Sequence, residues 1–271
     1  MGAAARLLEF LPKGKAYRAD IVLGVTTDTL DAEGNVTGTA DPSAVTREDV
    51  EAVLRTLEGE QQQIPPLASA IHHQGRRLYE LFREGKQVDV APRAVWIERL
   101  SLVSFENPRV VVDVDCGPGT YVRSLARDLG DRLGCGAHLG GLRRTRSGPF
   151  RIEDAAPLDA LLESPLLGFD PGGVAFGAPF VAPRTVLAHF PWIVVKPEAA
   201  PRVANGCRIG PDEVEILQGL TEAPNCVLAT SQGDLLAVAA ILPEPDGPIF
   251  KPLKVFAASI QRARPQTGGQ S

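Results

Sequence analysis

The chain has 271 residues, 44% of them hydrophobic, and a formal net charge of −5 at pH 7. No apolar run in it approaches the roughly 20 residues of a membrane-spanning helix, so no membrane role is expected. Cys116, Cys135, Cys207 and Cys226 are scattered without a C-x-x-C pair, and the four histidines form no ligand pattern with them; this speaks against a zinc site and for reduced thiols in a cytoplasmic protein. The length fits one large domain, or one with a small second.

Tyr17 to Leu23 alternates apolar and polar residues and predicts a half-buried strand. Gly24 to Asp41 is rich in Thr, Asp and Gly and reads as a loop. Thr46 before Arg47-Glu48-Asp49 is a capping-box-like helix start. Val50, Val53, Leu54 and Leu57 follow at helical spacing, and Gly59 ends the helix. Ile64-Pro65-Pro66 breaks regular structure. Arg77 to Arg83 predicts a short helix. Val95 to Val103 and Arg109 to Cys116 predict strands joined through Asn107-Pro108. Val122, Leu125, Ala126, Leu129 and Leu133 give a helix with one apolar face, and Ala156 to Leu162 a further short helix. Ser164 to Pro183 has no periodicity and reads as a long connection. Trp192 to Val195, Cys226 to Thr230, Leu235 to Leu242 and Phe250 to Phe256 are short strands that suit a small β-barrel. Ser259 to Ser271 is polar and expected to be disordered.

Two features point to chemistry. From Pro118 to Arg151 seven arginines face two aspartates, a local charge of +5 that leaves −10 for the rest. A basic patch on an acidic protein fits limited, specific contact with phosphates, although a solvated helix face would look the same. Within that stretch a β-branched run enters Gly117-Pro118-Gly119, and a helix opens with Tyr121 and Arg123. One flat ring and one fixed cation at a strand-to-helix turn suit a planar base beside a negative group. By themselves Tyr17 and Leu142 would be core residues, and Asp28 and Asp31 ordinary turn residues.

Five segments, in order, resemble the TruB family of tRNA pseudouridine synthases. They are Lys15-Ala16-Tyr17-Arg18 (K-x-Y-R), Thr27-Asp28-Thr29-Leu30-Asp31 (T-D-T-x-D), and Gln63-Ile64-Pro65-Pro66 through Ser69-Ala70 to Gly75-Arg76-Arg77-Leu78-Tyr79-Glu80. Gly119-Thr120-Tyr121-Val122-Arg123 (G-T-Y-V-R) and Gly134-Cys135-Gly136-Ala137-His138 with Leu142-Arg143-Arg144 complete the set. His72 stands where the family's S-A-x-K segment has lysine, and Pro118 where members often carry a small or polar residue. The resemblance implies an α+β pseudouridine synthase fold, with a mixed, mostly antiparallel sheet and flanking helices, followed by a small PUA-like β-barrel. It implies a catalytic domain over 1–185, a PUA-like RNA-binding domain over 186–258 and a tail over 259–271. The implied activity is isomerisation of uridine 55 in the tRNA T-loop by a monomer that binds the T-arm, with no metal or organic cofactor.

The implied roles follow the reaction. The target base must leave its stack. A carboxylate must act as nucleophile, and a cation must hold it ionised and aimed. Tyr17, Tyr121 and Arg123 take catalytic roles: Tyr17 stacks on the uracil and is placed to take the C5 proton, while Arg123 pairs with the carboxylate in a bidentate fork. Asp31, Leu142, Arg143 and Arg144 contact the substrate. The family's nucleophilic aspartate lies in a G-H-x-G-x-L-D-P segment ahead of K-x-Y-R, and the 271 residues contain none. Met1-Gly2-Ala3-Ala4-Ala5-Arg6 resembles the stretch just after that segment. The expectation is therefore a start codon assigned too late, a truncated gene being the alternative, and a 271-residue chain that binds tRNA without turnover. Leu7, Leu8, Phe10 and Leu11 are expected beside the space that the segment would fill. In-frame codons ahead of Met1 should encode H-x-G-x-L-D-P; sequencing the locus tests this, and a stop codon immediately upstream in frame would overturn it.

Overall fold

In the computed structural model, residues 3–86, 88–159, 181–216 and 223–256 are described. The chain forms two compact units. One is Pro12–Glu153; the other joins the N-terminal residues through Leu11 to those from Asp154 onward.

The unit of residues 12–153 carries ten strands: β1 (Lys15–Leu23), β2 (Val25–Thr27), β3 (Val36–Thr39), β4 (Gly59–Gln63), β5 (His72–His73), β6 (Arg76–Arg77), β7 (Arg93–Glu106), β8 (Arg109–Cys116), β9 (Ala137–Ser147) and β10 (Phe150–Arg151). Six of them form one sheet in the order β10-β9-β1-β8-β7-β4; β2-β3 and β5-β6 are separate hairpins. Every pairing in the large sheet is antiparallel. Three helices accompany it: α1 (Arg47–Thr56), α2 (Leu78–Arg83) and α3 (Val122–Leu133).

Alternation places the core. Ala19, Ile21 and Leu23 of β1 and Val110, Val112, Val114 and Cys116 of β8 point to one face. There they pack with Val50 and Leu54 of α1 and with Val122, Leu125, Ala126 and Leu129 of α3. Helix α1 starts with the expected capping box: Thr46 Oγ1 accepts from the Asp49 N–H, and the Asp49 carboxylate accepts from the Thr46 N–H. Helix α3 runs so close to β9 that a Cβ on Gly130 would lie 2.2 Å from the Ala137 nitrogen. Only glycine permits that approach. Gly134, at φ +77°, then ends the helix in the left-handed region.

The opposite sheet face is polar. Arg18 makes two bonds of 2.8 Å to Asp113, Arg109 lies 3.2 Å from Asp20, and Asp115 takes both Arg99 and Arg146. Exposed pairs of this kind add little stability. They do keep charged side chains ordered across four strands.

The other unit holds β11 (Trp192–Val195), β12 (Val214–Ile216), β13 (Asn225–Ala229), β14 (Leu235–Leu242) and β15 (Ile249–Val255), with the short helices α4 (Pro183–Val186) and α5 (Ala200–Ala204). Its sheet has the order β12-β11-β13-β14-β15, and β11 runs parallel to β13. Ile209, just ahead of β12 on one edge, bridges to Phe250 of β15 on the other, so the sheet closes in part on itself. Ile193, Val203, Ile209, Leu228 and Phe250 fill its interior.

Three expectations need revision. Gly24 to Asp41 contains the β2-β3 hairpin rather than a plain loop. Strands β4 and β9 stand where polar or motif-like sequence masked the pattern. Leu7 and Leu11 do not border a gap: both are buried with Val186, Leu187, Val227, Val238 and Phe256, and Phe10 meets Phe190 edge-on at 6.5 Å. The compact units divide at 153/154, with residues 3–11 joined to the later residues. The expected connection at 164–183 and the tail at 259–271 lie largely or wholly outside the described residues, as do residues 160–162 of the helix expected at 156–162.

Leu7 is 3% exposed and Leu8 62%. Leu7→Ala should therefore cost about 2–4 kcal/mol, and Leu8→Ala less than about 0.5 kcal/mol. Urea unfolding of a Trp96→Phe background, followed by the remaining Trp192 emission, measures both. Equal losses would contradict the packing.

Candidate active site

Arg123 sits on the first turn of α3, and three oxygens hold its guanidinium. Nη1 donates to the Asp31 carboxylate at 2.9 Å and to the Thr29 carbonyl at 3.3 Å; Nη2 donates to the Ala68 carbonyl at 2.9 Å. Both members of the Arg123–Asp31 pair are about three-quarters buried, with side-chain exposures of 25% and 23%. Partial burial strengthens such a pair relative to a surface one. The contact to Asp31 is single, because the second nitrogen is committed to Ala68.

Asp31 is placed by its loop. Thr29 Oγ1 donates to Asp31 Oδ1 at 2.5 Å, and the Glu33 N–H also reaches Oδ1, at 3.2 Å. Thr27 Oγ1 donates to the Asp31 carbonyl at 2.7 Å. Asp28 accepts from the backbone and side chain of Asn35, contacts that hold its carboxyl below the usual carboxylate range. A Cβ on Gly34 would lie 2.3 Å from Thr29 Oγ1, so only glycine lets the loop close. The loop is fastened to β9: Ala32 N donates to the Leu139 carbonyl and Leu139 N to the Leu30 carbonyl, both at 3.0 Å.

The other residues expected at the site divide between the two faces of the sheet. Cross-strand partners share a face. Tyr17 lies opposite Arg144, and Ala19 opposite Leu142, so Tyr17, Leu142 and Arg144 share the face that the helices cover. Arg143 lies opposite Arg18 and projects to the polar face. Tyr17 packs partly against the core, and burial pushes its phenol pKa up, with Cys116 adding to the effect and Arg144 opposing it. It is accordingly a neutral phenol at neutral pH. Leu142 is 47% exposed. Arg143 and Arg144 are exposed and make no ion pair among the described residues. Tyr121 is the residue from which α3 starts, and Lys15 of β1 lies opposite Cys116, the last residue before that turn.

Sequence reading passed over one residue at this turn. Gln63 is 2% exposed, and its Oε1 accepts the Tyr121 N–H at 2.8 Å. In the sequence it opens the Gln63-Ile64-Pro65-Pro66 segment of the family resemblance, with no role at the site assigned to it. The available signal was the proline pair after it, which ends a strand and leaves its last side chain turned inward.

What this arrangement can do is limited and specific. It presents a fixed cation against a carboxylate, a neutral phenol at the rim of the core, an exposed leucine and an exposed arginine on one face. Among the described residues no cluster of His, Cys, Asp and Glu could hold a metal ion, and no helix is long and apolar enough to cross a membrane.

Comparison with known proteins accounts for the pattern. Residues 1–122 match the family described as TruB family pseudouridylate synthase (N terminal domain), and residues 123–167 match the tRNA pseudouridylate synthase B C-terminal domain. The chain is 41% identical over 262 residues to a tRNA pseudouridine synthase B of Moorella thermoacetica, covering 94% of this chain and 84% of that one. It is 42% identical over 216 residues to a tRNA pseudouridine synthase B of Gloeobacter violaceus, covering 78% and 71%. Among solved structures, a chain of a Cbf5-Nop10-Gar1 complex superposes with a TM-score of 0.64 at 23% identity, over 94% of this chain and 70% of that one. A chain of an H/ACA RNP bound to a substrate RNA containing 2'-deoxyuridine gives 0.63 at 22%, with the same coverage. These two likenesses establish the α+β pseudouridine synthase fold. With relatives above 40% identity over most of both lengths, the chain belongs to the TruB family of tRNA pseudouridine synthases, a family of isomerases.

Proposed function

We propose that this protein isomerises uridine 55 in the T-loop of tRNA to pseudouridine, as a cytoplasmic monomer that grips the T-arm. The observation that carries the reading is the Arg123–Asp31 pair, held at the start of α3 beside the strand that bears Tyr17. Isomerisation breaks the bond from ribose C1′ to uracil N1, forms one from C1′ to C5, releases the C5 proton and leaves a proton on N1. It needs no external electrons. In this reading Tyr17 and Tyr121 are flat walls for the extruded base, and Tyr17 stands where the C5 proton leaves. Arg123 orients carboxylate charge at the reacting centre. Asp31 and Leu142 touch the extruded nucleotides. Arg143 and Arg144 meet phosphates from the two faces of β9. The unit from Trp192 onward serves as the PUA-like RNA-binding domain.

One observation favours a second reading, binding without turnover. Within the described residues the carboxylate against Arg123 is Asp31, and both of its oxygens already accept hydrogen bonds, from Thr29 and Glu33 on one and from Arg123 on the other. A carboxylate so occupied is a poor nucleophile. The 271-residue protein incubated with a T-arm transcript carrying [5-³H]uridine separates the two. Tritium release that maps to position 55 supports isomerisation. Saturable binding with no release supports the second reading and overturns the first.

Binding and chemistry should also part by residue. Arg144→Ala should weaken tRNA affinity and make its dependence on log[salt] shallower by about one. Arg123→Ala should change affinity little, because its guanidinium already serves Asp31, Thr29 and Ala68. It should lower any turnover by orders of magnitude. Filter binding from low to high salt checks the pair, and reversed effects would overturn the assignment.

A further inference from the structure

Helix α3 lacks a cap of its own. Tyr121 occupies the capping position in extended geometry (φ −101°, ψ 111°), and its side chain makes no capping bond. The first turn carries no acidic residue. A helix that begins this way leaves backbone N–H groups unsatisfied. The partner comes from elsewhere. Oε1 of Gln63, at the end of β4, accepts the Tyr121 N–H at 2.8 Å. An N–H can only donate, so it fixes which way the amide points.

The residues after Gln63 extend the attachment. The Ile64 carbonyl accepts from Ser124 Oγ at 2.8 Å and from Arg127 Nη2 at 3.2 Å, and the Ala68 carbonyl takes Arg123 Nη2 at 2.9 Å. Pro65 and Pro66 lie between them and are buried. They have no N–H to satisfy and hold the backbone extended. Residues 63–68 thus grip α3 at positions 121, 123, 124 and 127. Gln63 is the one of these attachments made by a side chain to the backbone of the turn itself.

We propose that Gln63 is a positioning residue for the Tyr121–Arg123 turn, its amide oxygen setting where Arg123 stands relative to Asp31. The proposal rests on the reading of Arg123 as an active-site cation. Three variants of the full chain test it. Gln63→Leu removes the acceptor. Gln63→Asn withdraws it by one methylene while staying polar, which covers the case in which Gln63→Leu does not fold. Gln63→Glu keeps an acceptor and adds negative charge at a helix N-terminus, where it is favourable.

The first readout is amide hydrogen exchange at Tyr121, followed by NMR. Exchange should rise about tenfold in Gln63→Leu and Gln63→Asn, as expected for loss of one buried hydrogen bond, and stay near wild type in Gln63→Glu. The second is single-turnover pseudouridine formation set against tRNA affinity. The rate should fall about a hundredfold, as for a catalytic group misplaced by about 1 Å, with affinity unchanged and the rate restored in Gln63→Glu. Unchanged Tyr121 exchange in Gln63→Asn, or a Gln63→Glu variant no better than Gln63→Asn, would overturn the proposal. So would equal loss of affinity and rate. If the wild-type chain forms no pseudouridine, the functional reading fails, and the exchange measurement still decides whether Gln63 holds the turn.

Discussion

The first turn of α3 is the constraint on which the site depends. A helix that starts on tyrosine must find acceptors for its N–H groups outside itself, and here the Tyr121 N–H finds one in Gln63 at the end of β4. The same segment takes one arm of Arg123, and the loop at 27–35 takes the other. At its far end the helix is pressed onto β9 through Gly130, whose carbonyl accepts the Gly136 N–H at 3.0 Å. Held at both ends, α3 has little freedom to slide, and Arg123 inherits that rigidity. This is the preorganisation that an electrostatic site needs, since donors that must reorganise during reaction stabilise little.

A net charge of −5 looks unsuited to a nucleic-acid partner until the arginines are sorted by what they touch. Arg123, Arg127, Arg132 and Arg146 are committed to protein oxygens, and they act as structural cross-links between α3, β9 and neighbouring segments. Arg143 and Arg144 make no ion pair among the described residues and are exposed at the middle of β9. Counting charges along the chain treated all seven alike. A free guanidinium on a strand can release counterions from a phosphate; one already paired must first give up its partner.

The N-terminal residues illustrate how an apolar stretch finds its place. Leu7 and Leu11 lie close in sequence to β1, yet they are buried with residues near 187, 227, 238 and 256. Around them, Arg6 stacks over Phe256 at 4.8 Å and Lys254 pairs with Glu9 at 2.7 Å. Burial is non-directional and proportional to area. Sequence proximity therefore says little about which core an amphipathic stretch will join.

Much was legible in the sequence because the signals are local. The alternation of β1 and β8, the Thr46–Asp49 cap, the helix from Val122 to Leu133 and the turn at Gly119 each depend on residues within a few positions of one another. So does the order of motifs that marks the family. Other features were decided only by tertiary structure. The sequence placed Tyr17, Leu142, Arg143 and Arg144 in one site, but the β1–β9 register, with shifts between Ala16 and Tyr17 and between Asp20 and Ile21, sends Arg143 to the opposite face. The partner of Arg123 is 92 residues away in Asp31, and the cap of α3 is 58 residues away in Gln63. Local propensity and periodicity determine which residues form strands and helices and which side of each is apolar. Which polar atoms then meet is set by how the sheet aligns its strands, because a hydrogen bond is short and directional and carries no trace in the sequence between its ends.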